Sequence, residues 1–242
     1  GAVYVLFLNP DGTTSNSTKI AHELNGGPTL ANYDRFGSSV AALGDLDGDG
    51  VADIAVGTPG AVHVLLLNSD GSVKASTRIA DGTNGGPALS DGDAFGSAVA
   101  ALGDLDGDGV VELAAGAIAD DGRGGSYASR GAVHVLFLNP DGTARASSKI
   151  GDGENGGPLL KDFDRFGNSV AAPGDMDGDG LDDLIVGAFS DDSGASNAGA
   201  VYLLLLNPDG TVKTSRKVTD GAAGGPELTS QVGFGSGIAV VG

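Results

Sequence analysis

Four stretches of the chain repeat one pattern: a near-continuous apolar run, a tight polar turn, and a second run that closes on a basic residue. They read GAVYVLFLNPDG from Gly1, GAVHVLLLNSDG from Gly60, GAVHVLFLNPDG from Gly131 and GAVYLLLLNPDG from Gly199. A short apolar run bounded by turn signals predicts a strand buried on both faces. Asn-Pro-Asp-Gly or Asn-Ser-Asp-Gly predicts a tight hairpin, with Pro presetting φ and Gly taking positive φ. The second run ends in Lys19-Ile20, Arg78-Ile79, Lys149-Ile150 or Lys217-Val218. A basic residue there is expected to guard an outermost strand against edge-to-edge pairing.

The repeats are offset by 59, 71 and 68 residues, and a Phe-Gly pair at Phe36, Phe95, Phe166 and Phe234 moves by the same steps. A third marker, DLDGDG or DMDGDG, starts at Asp45, Asp104 and Asp175. Markers that move together mean duplicated structural units. Each unit holds four strand candidates; in the first complete one strand A is 36–43, B is 53–57, C is 61–67 and D is about 73–79. The predicted fold is all-β, with four-stranded antiparallel blades of a β-propeller over 1–242. A partial blade covers 1–20, complete blades cover about 36–79, 95–150 and 166–218, and a terminal strand is expected over 234–242.

Phe-Gly, then DxDxDGxxD, then a Gly-Ala-Pro-like turn, then GAVYV resembles the FG-GAP repeat of the integrin α-subunit propeller and its bacterial relatives. The turn departs from the family pattern, reading Gly57-Thr58-Pro59, Gly116-Ala117-Ile118 and Gly187-Ala188-Phe189. The resemblance implies a non-enzymatic extracellular or cell-surface module for adhesion, protein–protein interaction or surface assembly.

The acidic loop between strands A and B carries the strongest chemistry. Its side-chain oxygens come from Asp45, Asp47, Asp49 and Asp53; from Asp104, Asp106, Asp108 and Glu112; and from Asp175, Asp177, Asp179 and Asp183. The 1, 3, 5, 9 spacing sets alternate side chains around one centre, and the backbone carbonyls of Val51, Val110 and Leu181 can each add an oxygen. Gly50, Gly109 and Gly180 permit the sharp turn. An all-oxygen, multi-carboxylate set selects a hard cation, and Ca²⁺ tolerates this geometry better than Mg²⁺, so three Ca²⁺ sites are expected. Unneutralised carboxylates ~4 Å apart would repel by about 4 kcal/mol per close pair at an effective dielectric near 20. An EF-hand is excluded, because Val56, Ala115 and Val186 stand where its final glutamate belongs and strand-like sequence follows. No His or Lys is expected to accompany the loops, and the same loop recurs three times, so the ions are expected to be structural.

Other chemistry-bearing residues are sparse. His63 and His134 fill the strand-C position that Tyr4 and Tyr202 hold elsewhere, which reads as packing; His22 reads as surface. Arg35 and Arg165 are expected to pair with the adjacent Asp34 and Asp164. The Asn-Gly-Gly-Pro segments at Asn25, Asn84 and Asn155 each place their Pro eight residues before Phe-Gly and read as architectural. The B–C loops vary in length, and variable loops on a rigid scaffold are where binding sits. Asp120, Asp121, Arg123, Tyr127 and Arg130 in one, with Asp191 and Asp192 in another, are the expected partner contacts.

Composition narrows the partners. Lys plus Arg is 13 against 32 for Asp plus Glu, a net charge of −19, which argues against nucleic acid or an anionic membrane. Cysteine is absent, excluding disulfides and thiolate sites, and no apolar run is long enough to span a bilayer. The strand-like pattern begins at Gly1 without a signal-like start. A carbohydrate-binding propeller is the alternative, disfavoured by four Tyr and no Trp. An accessory propeller of a larger secreted hydrolase is another, with no Ser-His-Asp set to support it. The strand inventory leaves a fourth acidic loop and its strand B without a counterpart in the sequence. Either a longer propeller or strand completion between chains through blade edges would supply them.

Overall fold

The computed structural model describes residues 1–122 and 128–241. Every regular element in it is a strand. The chain runs through β1 (Val3–Leu8), β2 (Thr14–Ile20), β3 (Ser39–Gly44), β4 (Asp53–Thr58), β5 (Ala61–Leu67), β6 (Val73–Ile79) and β7 (Phe95–Ala101). It continues through β8 (Glu112–Ala117), β9 (Ala132–Leu138), β10 (Ala144–Ile150), β11 (Phe166–Gly174), β12 (Asp183–Ala188), β13 (Ala200–Leu206) and β14 (Val212–Val218). Three sheets are four-stranded antiparallel meanders, β3–β6, β7–β10 and β11–β14, and β1–β2 is a two-stranded sheet. These are propeller blades, with strand A innermost and strand D outermost.

The burial of each strand follows its place. In the second unit, β5 is buried at every position, whereas β6 has buried ends and a mostly exposed middle. Each C–D hairpin closes in the same way, as at Asn9: the Asn9 N–H donates to the Thr13 carbonyl at 2.7 Å, while the Asp11 carboxylate accepts from the Thr13 N–H and hydroxyl. Gly12 holds φ +83°, the conformation that the hairpin turn requires.

The family signature turns out to be the seam between successive blades. Gly57, Gly116 and Gly187, from the Gly-Ala-Pro-like turn, face the glycine of the following Phe-Gly pair. A Cβ on them would lie 2.1, 2.0 and 2.0 Å from the carbonyl oxygens of Gly96, Gly167 and Gly235. The Phe of each pair then caps its own blade: Phe36, Phe95 and Phe166 are buried and meet His63, His134 and Tyr202 edge-to-face, with ring centroids 5.3–5.6 Å apart. Strand C of one blade packs on strands B and C of the next; Val133, Val135 and Phe137 share a core with Leu184, Val186, Tyr202 and Leu204. In the three complete blades packing is therefore the role of the His/Tyr position, whereas Tyr4 in the two-stranded sheet is exposed.

One predicted element is corrected. Phe234 makes a single parallel bridge to Gly199, and residues 235–241 form no strand. In the complete blades strand A takes its ladder bonds from strand B, as β3 does from β4, and residues 234–241 have no strand B beside them among the described residues. Strand A of the first complete blade also starts later than expected, at Ser39, whereas β7 and β11 begin at the Phe of their Phe-Gly pairs, where Phe95 and Phe166 pair with Ala117 and Ala188 of strand B.

Candidate metal centres

Each A–B loop is wound by its own carboxylates. Asp45 accepts the N–H groups of Asp49 at 2.9 Å and Gly50 at 2.8 Å, and Asp49 accepts that of Val51 at 2.9 Å. Asp104 with Asp108 and Gly109, and Asp175 with Asp179 and Gly180, repeat this pattern. Paired glycines make the curvature possible, for example Gly48 at φ +77° and Gly50 at +87°. The side chains of Val51, Val110 and Leu181 pack against the cores, which fixes the backbone whose carbonyl was expected to face the ion.

The ninth position anchors the loop to the blade. Asp53 is buried and accepts from Leu46 N at 2.9 Å and Leu67 N at 2.8 Å. Asp183 does the same with Met176 and Leu206. Glu112 accepts from Leu105 N at 2.6 Å through Oε2, while its Oε1 is buried with no hydrogen-bond partner. Burial, with the charges of Asp106 and Asp108 adding, pushes the Glu112 carboxyl up to about 7, and burial also raises Asp53.

Ligand oxygens of Asp45, Asp47 and Asp53 lie within 4.8 Å of one another, as do those of Asp175, Asp177 and Asp183; in the middle loop the group is Asp104, Asp106 and Asp108. The structure thus gathers three of the four predicted carboxylates in each loop, leaving Asp49, Glu112 and Asp179 outside these groups. An all-carboxylate donor set in each loop fits a hard dication.

The sequence reading had no cation near these loops, and the structure corrects this. Lys74 Nζ lies 2.5 Å from Asp47 and also contacts Asp49; Lys213 Nζ lies 2.7 Å from Asp177 and 2.9 Å from Asp179. Arg145 reaches Asp108 at 2.5 Å, Asp106 at 2.8 Å and Glu112 at 3.5 Å. Hydrogen bonds to these carboxylates hold Lys74 and Lys213 above their ordinary range, and the same bonds lower Asp49 and Asp179. A signal existed: each cation stands three residues after the hairpin glycines Gly71, Gly142 and Gly210.

The B–C loops are built differently from expectation. Asp120 and Asp191 are 5% and 1% exposed, so they anchor the loops rather than meet a partner. Asp120 pairs with Lys149 at 2.9 Å; Asp191 pairs with Lys217 at 2.5 Å and accepts from the Tyr202 hydroxyl at 3.0 Å. The strand-D lysines thus hold these loops, a role beyond edge protection. Arg130 is tied to Asp152 and Asp162, and half-buried Asp121 accepts from Ser129 N. Asp192 is exposed and accepts from Asn197 N. Arg123 and Tyr127 lie outside the described residues. The expected Arg–Asp pairs do not form: Arg165 stacks over Phe189 at 5.3 Å, while Asp34 and Asp164 accept from Ala31 N and Lys161 N. His22 accepts from Leu30 N at 2.9 Å, in the place of Asp81 and Asp152 in later units.

Fold and loops together define a repeat propeller with acidic A–B loops. The FG-GAP-like repeat family matches residues 45–115 and the FG-GAP repeat family matches residues 166–204. Integrin alpha-5 of Xenopus laevis is 35% identical over 192 residues, covering 75% of this chain and 17% of its own length. Integrin alpha-PS5 of Drosophila melanogaster is 31% identical with the same coverage, and integrin alpha-3 of Cricetulus griseus is 31% identical over 204 residues. The chain belongs to the FG-GAP repeat family, and its antiparallel sheets are consistent with integrin-like propeller blades. It spans about 17% of the length of these relatives.

Proposed function

We propose that this chain is a calcium-binding, non-enzymatic propeller module that works outside the cell or on its surface, in adhesion, protein–protein contact or surface assembly. The observation that carries the reading is the threefold recurrence of one acidic loop, with carboxylate oxygens converging within 4.8 Å each time. Calcium would be held by Asp45, Asp47, Asp49, Asp53 and the Val51 carbonyl, and by the matching residues of the other two loops. When bound, it supplies neutralising charge to crowded carboxylates. The chain's own residues do the rest: Asp53 and Asp183 fasten their loops to strand C, Glu112 holds the Leu105 N–H of its own loop, and the paired glycines let each loop close.

Extracellular calcium is millimolar, which suits modular sites of modest affinity. The same loop in three blades, tied down at its ninth position, supports a structural ion over a catalytic one. The relatives carry integrin names, which supports an adhesive or protein-binding role. The exposed parts of the B–C loops, Asp192 among them, are the surface assigned to a partner. Native mass spectrometry tests the reading. Three calcium ions per chain are expected, with Asp106→Ala reducing the count to two; no bound calcium, or binding no tighter than that of magnesium, would contradict it.

A further inference from the structure

We propose that the strand-D cation of each blade, Lys74, Arg145 or Lys213, is a tethered counter-ion that competes with calcium for its own blade's acidic loop and so sets that loop's affinity. The inference rests on the calcium reading and adds to it a class of residue outside the loops.

Placement is the first support. The A–B loop and the C–D hairpin share one end of the blade, and the hairpin delivers the third residue after its glycine onto the loop. In the outer two loops an ammonium contacts the carboxylates at positions three and five. Each of the three acidic loops meets such a cation from the same hairpin position of its own blade.

The middle loop supplies the second support, because it departs from the other two at three connected places. Glu112 stands where they have Asp53 and Asp183, Arg145 where they have Lys74 and Lys213, and Phe137 where they have Leu66 and Leu205. The three departures touch one another. The Arg145 guanidinium lies over the Phe137 ring at 5.3 Å and reaches three carboxylates, Glu112 included. The extra methylene of Glu112 leaves Oε1 buried without a hydrogen-bond partner, 3.5 Å from that guanidinium.

A dication entering such a loop must displace the tethered cation or share oxygens with it, and like charges at this range repel. A guanidinium fork pinned on an aromatic face gives up carboxylates less readily than a flexible ammonium. Removing the cation therefore tightens calcium binding, and the middle loop is the weakest of the three.

Calorimetric calcium titration of the full chain, stripped with chelator, tests this on wild type, Lys74→Met, Arg145→Met, Lys213→Met and the charge-retaining Arg145→Lys. Each Met variant should tighten one site by roughly tenfold, as ligand-charge changes do in other calcium loops. Arg145→Met should act on the weakest site, and Arg145→Lys should shift it less. The melting temperature in chelator should fall for every Met variant. Should a Met variant fail to fold in chelator, the lost counter-ion role is already evident, and Arg145→Lys then carries the affinity comparison. Wild type that takes up no calcium overturns the calcium reading and this inference with it. Wild type that binds, while all three Met variants bind with unchanged or weaker affinity, overturns the inference alone.

Discussion

At the scale of the residue, the most telling positions are buried groups that could titrate. His63 and His134 are 2% and 1% exposed, and burial pushes both imidazoles down to about 4. The unfolded chain takes up those protons near pH 6.5 while the fold holds both rings neutral to about pH 4, so their contribution to stability is lost as pH falls through that window. Burial raises Asp164 to about 6, and its contribution is lost as pH rises from 3.8 toward 6, the opposite sense. Comparing a variant with wild type isolates the imidazole. His134→Tyr, which copies Tyr202 of the next blade, should recover on the order of 3 kcal/mol near pH 4 in acid unfolding followed by circular dichroism. Identical acid profiles for the two proteins would refute this account of the position. The packing role itself was legible in the exchange of His for Tyr between repeats. The protonation behaviour was not, because it depends on burial of the ring against Phe95, which comes from another strand.

At the scale of the element, the strands and hairpins were readable from apolar runs and Asn-x-Asp-Gly turns, because both signals are local. What lay hidden was how loops are fastened to strands. Asp120 and Asp191 looked like exposed loop acids, yet each is drawn inward by a strand-D lysine some 26–29 residues away in the sequence. Adjacent carboxylates therefore have opposite roles. Asp191→Ala strips partners from Tyr202, Lys217 and Ser193 and should cost about 2–4 kcal/mol. Asp192→Ala, at an exposed site, should stay within about 0.5 kcal/mol. Urea unfolding at saturating calcium measures both, and equal costs would show that the loop is not anchored at Asp191. The roles of Lys74, Arg145 and Lys213 are hidden in the sequence for the same reason: their contacts cross from strand D to a loop more than twenty residues earlier.

At the scale of the whole molecule, the repeat spacing carried the architecture. Phe-Gly and the Gly-Ala-Pro-like turn were visible as markers in the sequence, but their meeting across the blade seam was not. Only the structure sets Gly116 against the Gly167 carbonyl, where no side chain fits. The seams join blades into one arc, with acidic loops at corresponding places in three of them. Each loop concentrates negative charge in a chain that already carries −19, so a bound dication should stabilise every blade that holds one. At a hundredfold excess over Kd the gain is about 2.7 kcal/mol per site. The most direct test is a thermal melt of the chain in chelator, in calcium and in magnesium. The account predicts that calcium raises the melting temperature by at least about 5 °C over chelator and that magnesium restores less of it. Superimposable melts in calcium and chelator would contradict it.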